Sequence, residues 1–122
     1  MTGSDGPSVL VVDDHAEIAH LVRLVLTSSG FRAVTAASAE AAVVAYGDGR
    51  QFDLVVTDVT LQGLPGPALL AELGHPIGRT LFISGHSRER FEGTAAELPV
   101  GAAFLQKPFG PTALLDFLRA ML

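Results

Sequence analysis

Residues 8–18, SVLVVDDHAEI, carry a short apolar run, Val9 to Val12, into two adjacent aspartates and then directly into helical spacing. Ile18, Leu21, Val22, Val25 and Leu26 place an apolar stripe on one face of a helix from about 15 to 28, and Gly30 marks its end. A continuously apolar strand is one buried on both faces, and a helix starting at once after it makes a βα unit. The unit recurs along the chain. Strands are predicted at 31–36 (FRAVTA), 53–57 (DLVVT), 80–84 (TLFIS) and 102–106 (AAFLQ), each rich in branched or aromatic apolar residues. A second helix is expected from a Ser38 N-cap to Gly47, a third over 67–73 after GLPGP, and a fourth over 87–97. The fifth opens at Pro111, with Leu114, Phe117, Leu118 and Met121 on one face. Strands alternating with helices predict an α/β fold, a parallel five-stranded sheet with helices on both faces.

Composition bounds the function. With 122 residues, 48% of them hydrophobic, the chain has material for one core. We read residues 1–7 as a flexible N-terminus and 8–122 as the domain. The absence of cysteine excludes disulfides and thiolate metal sites, and a cytoplasmic location is expected. No apolar run reaches the roughly 18 residues of a membrane span, so no membrane association is expected. Eight Lys+Arg stand against 13 Asp+Glu, a net charge of −5 with no basic cluster. Direct nucleic-acid binding through phosphate neutralisation is therefore not expected.

In a parallel sheet the residues at the C-terminal strand ends gather along one edge, where α/β proteins form their sites. Asp13 and Asp14 follow the first strand, Asp58 the third and Lys107 the fifth, while Ser84 closes the fourth. If the first and third strands are neighbours, three carboxylates converge, and they repel unless a proton or a cation offsets them. Oxygen ligands suit Mg²⁺. The histidines at 15, 20, 75 and 86 show no metal spacing, so zinc is not expected. Taken singly, each residue has a structural alternative. Asp14 suits an N-cap with Glu17 completing a capping box, Asp58 a loop carboxylate, Ser84 a turn, Lys107 a solvated charge and Phe104 a core aromatic.

In order and spacing, VVDDH, VVTDV, LFISGHS and FLQKPF resemble the acidic pair, the phospho-accepting aspartate, the hydroxyl residue with its small neighbour, and the lysine-proline turn of response-regulator receiver domains. The resemblance to this CheY-like two-component family covers about 8 to 121. FISGHS and FLQKPF are also similar to receivers of hybrid histidine kinases. It implies a flavodoxin-like (βα)5 doubly wound fold with strand order 2-1-3-4-5, an order carried over from the family. It further implies that Asp58 takes a phosphoryl group from a phosphohistidine on a histidine kinase or phosphotransfer protein. Asp14, Asp58 and the Thr60 carbonyl would hold Mg²⁺, with Asp13 acting through a metal-bound water. Lys107 would supply positive charge, Ser84 a hydroxyl to a phosphoryl oxygen, and Gly85 the space for access. Ser84 and Phe104 would form the switch that remodels a face of helix four, strand five and helix five toward an effector protein or output domain. A homodimer through that face is left open. Thr60 and His86 match positions that tune phosphoryl lifetime, and Lys107–Pro108 matches a bond that is commonly cis.

The pattern also departs from the family. Gln62 stands where a proline is common, with Gly66 restoring the expected glycine, and serine replaces the commoner threonine at 84. Two other functions stay open: a phosphate-independent receiver-like interaction module, and a haloacid-dehalogenase-type phosphatase. The second expects an aspartate where this chain has Thr60. We expect a signalling domain and not an enzyme.

Overall fold

The computed structural model describes residues 6–47, 52–58, 60–61, 64–84, 103–106 and 109–122. Five strands, β1 (Ser8–Val12), β2 (Arg32–Ala36), β3 (Leu54–Asp58), β6 (Thr80–Ser84) and β7 (Ala103–Gln106), form one parallel sheet in the order β2-β1-β3-β6-β7. Counting only these five along the chain, that is 2-1-3-4-5. Two further strands, β4 (Thr60–Leu61) and β5 (Leu64–Pro65), pair antiparallel in a ladder that the sequence pattern did not predict. Two-residue strands are too short to show a period.

Alternation along the strands sorts the core into two layers. On one face Leu10, Val12, Val55 and Phe82 pack with Ala39 and Ala42 of α2 (Ala39–Gly47) and Leu69 and Leu70 of α3 (Gly66–Leu73). On the other, Val9, Val11, Leu54, Val56, Leu81 and Ile83 pack with Val22 and Leu26 of α1 (Ala16–Ser28) and Leu114 and Leu118 of α4 (Pro111–Ala120). Val9 to Val12 have no exposed surface, as a doubly covered central strand requires.

Local chemistry fixes the element ends. Ser38 caps α2, its hydroxyl oxygen accepting the Ala41 N–H at 3.0 Å. Gly30, at φ +91°, follows α1, where the Phe31 N–H reaches the Leu26 carbonyl and the Gly30 N–H that of Thr27. This double closure demands a left-handed residue that glycine adopts without steric cost. Ahead of β1, the Gly6 and Pro7 carbonyls accept hydrogen bonds from the Arg32 side chain and main chain. The first helix begins one residue later than the spacing indicated, and Asp58 is the last residue of its strand instead of the first after it. The helix expected over 87–97 lies outside the described residues.

Candidate functional site

The sheet register creates the site. Val12 pairs with Thr57 across β1 and β3, so the next residue on each strand, Asp13 and Asp58, arrives at the same level of the C-terminal edge. The Asp13 N–H continues the ladder on the other side, donating to the Ala36 carbonyl at 3.1 Å. Asp13 has no exposed surface and Asp58 is 6% exposed, whereas the Asp14 side chain is 31% exposed. Two carboxylates are thus buried at the sheet edge and the third is partly exposed beside them.

The chain turns back on this cluster at once. Asp13 Oδ1 accepts the His15 N–H at 2.8 Å, and His15 occupies the cap position of α1, its carbonyl accepting from Ile18 and Ala19. The cap is made through main chain alone, with no side-chain capping hydrogen bond. Asp14 and Glu17 therefore do not form the capping box that their spacing allowed. The His15 ring lies over the carboxylates, with Nδ1 at 3.1 Å from both Asp13 Oδ1 and Asp14 Oδ1. One ligand atom from each of Asp13, Asp14, His15 and Asp58 falls within 4.8 Å of the other three. The cluster could hold a divalent cation: the donors are hard oxygens joined by one imidazole, gathered within 4.8 Å, slightly wider than the span of about 4.2 Å of an octahedral coordination sphere. The sequence reading passed over His15 because it looked for spacing between histidines; the signal was its place beside the acidic pair, before a helix that must turn sharply off the strand.

The other site residues sort by position. Thr60 pairs with Pro65 through main chain in the β4–β5 ladder, two residues past Asp58. Ser84 ends β6 on the same edge, in register with Gln106, and Phe82 pairs with Phe104 two residues earlier along those strands. Phe104 is half-buried against the core layer of α2 and α3. Lys107, Gly85, His86, Pro108 and Gln62 lie outside the described residues.

A second feature opens beside the pocket. Ile18, Leu21, Val22 and Val25 of α1 and Phe109, Pro111 and Leu114 from the start of α4 line an apolar groove of about 420 Å³. Both helices begin at the site edge, so the groove opens there. Leu21 is 61% exposed and Phe117 37%, although helical spacing placed each on the apolar face of its helix.

Among the described residues no helix is long and apolar enough to cross a membrane. A family model described as response regulator receiver domain matches residues 9–119. The sensor kinase CckA of Brucella abortus is 35% identical over 98% of this chain and 13% of its own length. Protein PetR of Rhodobacter capsulatus is 34% identical over the whole chain and 51% of its length. The chain thus spans about half or less of these curated relatives. The structure of Vibrio cholerae chemotaxis protein CheY4 superposes with a TM-score of 0.76 at 26% identity, covering 96% of this chain and 99% of that one.

Proposed function

The chain belongs to the response regulator receiver domain family, and from that premise we propose that it is a phospho-accepting switch with Asp58 as the acceptor. The observation that carries the reading is the convergence of Asp13, Asp14 and Asp58 on one edge, two of them buried. A carboxylate oxygen of Asp58 attacks the phosphorus of a phosphohistidine; the P–O bond forms, the P–N bond breaks, and the imidazole leaves. Asp58 is held at the sheet edge by its ladder to β6, which positions the carboxylate that attacks. Asp14, Asp58 and the Thr60 carbonyl hold Mg²⁺, with Asp13 behind them. The ion, when bound, offsets the negative charge of the carboxylates and of the phosphoryl oxygens. Lys107, one residue past β7, adds a point positive charge to the same edge.

Output follows from a two-state equilibrium, which a phosphoryl group shifts only through contacts that differ between the states. Ser84 donates its hydroxyl to a phosphoryl oxygen in one state, and Phe104 moves with it. This changes the face presented by β7 and α4, to which an effector protein or output domain responds. Thr60 and His86 set how long the phosphoryl group lasts. The donor is a histidine kinase or phosphotransfer protein, and a helix of that partner is seated in the groove between α1 and α4, continuous with the site edge. The setting is cytoplasmic, and the domain assists its own phosphorylation without being a conventional enzyme.

The test is the intact mass after incubation with acetyl phosphate, with and without Mg²⁺. A single Mg²⁺-dependent phosphoryl adduct is expected on the parent protein and none on Asp58→Asn. If no adduct forms under any condition, the phosphate-independent interaction module replaces this reading; catalytic turnover of small phosphoesters would favour the phosphatase.

A further inference from the structure

We propose that His15 is a ligand of the cation site and sets its selectivity, giving the pocket a preference for a borderline divalent transition ion that three carboxylates alone would not supply. The inference rests on the reading of this pocket as a cation site. Its own basis is the ring position. His15 Nδ1 is 3.1 Å from Oδ1 of Asp14, a direct ligand in that reading, and 3.1 Å from Oδ1 of Asp13, which reaches the ion through a bound water. Two ligand atoms each about 2.1 Å from an octahedral ion, and at right angles about it, are about 3 Å apart. The imidazole nitrogen therefore stands where a neighbouring vertex of the coordination sphere falls. Opposite vertices of such a sphere are about 4.2 Å apart, so the four residues' ligand atoms, which all lie within 4.8 Å, close by a few tenths of an ångström to share one ion.

The main chain holds the residue at this place: the His15 N–H is held by Asp13 Oδ1 at 2.8 Å and the His15 carbonyl by the first turn of α1, while the ring, 66% exposed, is placed by its contacts to the two carboxylates. Chemistry then decides the consequence. Mg²⁺ is hard, keeps its waters and gains little from a nitrogen donor; Co²⁺, Ni²⁺ and Zn²⁺ bind imidazole well and follow the usual rise in affinity along the first transition row. His15 should thus raise affinity for these ions while leaving Mg²⁺ nearly unaffected.

Calorimetric titration of the intact chain with Mg²⁺ and separately with Ni²⁺, at one fixed pH above the imidazole range, tests this on the parent, His15→Ala and His15→Gln. Circular dichroism verifies that each variant is folded. The expected result is a loss of at least about tenfold in Ni²⁺ affinity in both variants, with Mg²⁺ affinity changed by less than about twofold, and loss from the Cu²⁺ electron paramagnetic resonance spectrum of the nitrogen coupling that the parent shows. Equal losses for both ions, or unchanged Ni²⁺ affinity beside normal Mg²⁺ binding, would overturn the role of His15 and leave the cation site standing. Tighter Mg²⁺ binding in the variants would overturn it too, by showing the ring to be a plug that the ion must displace. Binding of neither ion by the parent protein would remove the cation site and this inference with it.

Discussion

Asp53 and Asp58 stand at opposite ends of one strand's run, and their surroundings give them opposite work. Asp53 Oδ2 accepts both the N–H and the hydroxyl of Ser8, and the Asp53 N–H returns to Ser8, so this carboxylate is spent on joining β1 to the start of β3. Asp58 stands at the other edge among carboxylates and one imidazole, the arrangement that suits a cation and a phosphoryl group. A third titratable residue, His75, serves neither purpose. It is buried, accepting or donating at Nδ1 with the Tyr46 hydroxyl at 2.9 Å and meeting the Arg79 carbonyl through Nε2 at 3.0 Å, with the Tyr46 ring edge-on at 5.7 Å. Burial pushes its pKa below the ordinary 6.5, against the weaker upward pull of the Arg79 carbonyl. Between the lowered folded value and 6.5 the unfolded chain binds more protons, so stability falls as pH falls. The contribution of neutral His75 is fully present above 6.5 and lost as pH drops through the folded value. Urea unfolding between neutral and mildly acidic pH should therefore show a decline in the parent that is shallower in His75→Gln; equal slopes would assign the decline to other groups. None of this was legible in the sequence, where Tyr46 and His75 are 29 positions apart and neither belongs to a motif.

At the level of elements, the alternation of strand and helix was legible because each strand is covered on both faces and each helix has an apolar stripe. Ser38 and Gly30 marked helix ends for reasons that operate within a few residues. Two things escaped. The β4–β5 ladder has too few residues to carry a period, and the α1 stripe gave no sign of the groove because periodicity reports that apolar residues share a face but not whether anything covers all of it. Val22 and Leu26 are buried by the sheet, whereas Leu21 projects into the groove toward α4. That exposure separates folding from partner recognition. Leu21→Ser should change the unfolding free energy by no more than about 0.5 kcal/mol. It should leave acetyl phosphate labelling of Asp58 unchanged. Transfer from a phosphorylated histidine phosphotransfer protein, measured at subsaturating donor, should slow roughly fivefold, the effect of losing one apolar anchor worth about 1 kcal/mol. Equal slowing with both donors would place the fault in the site and not in docking.

For the molecule as a whole, the candidate site was legible because topology does the gathering: once β1 and β3 are neighbours, Asp13 and Asp58 must meet, whatever lies between them in sequence. The neighbour relation itself came from family resemblance, since nothing in strand composition distinguishes the order 2-1-3-4-5 from another. His15 was missed because its contribution depends on how the chain leaves β1, a matter of turn geometry. The same gathering would couple a bound cation to folding. The ligands come from the end of β1, the first turn toward α1 and the end of β3, segments more than 40 residues apart that only the folded sheet assembles, so the unfolded chain offers no comparable site. An ion that binds only the folded state stabilises it by mass action, by about 2.7 kcal/mol when free ion is 100 times its dissociation constant. Raising Mg²⁺ at constant ionic strength should accordingly shift the parent's urea midpoint upward along the saturation curve that calorimetry gives, with an unchanged denaturant slope. Asp14→Ala removes a partly exposed ligand without opening the core, so its midpoint without Mg²⁺ should lie near the parent's and stay flat as the ion is added. A parallel rise in both proteins would mean that Mg²⁺ acts on surface charge in general, and the pocket at the sheet edge would then have no thermodynamic claim to the ion.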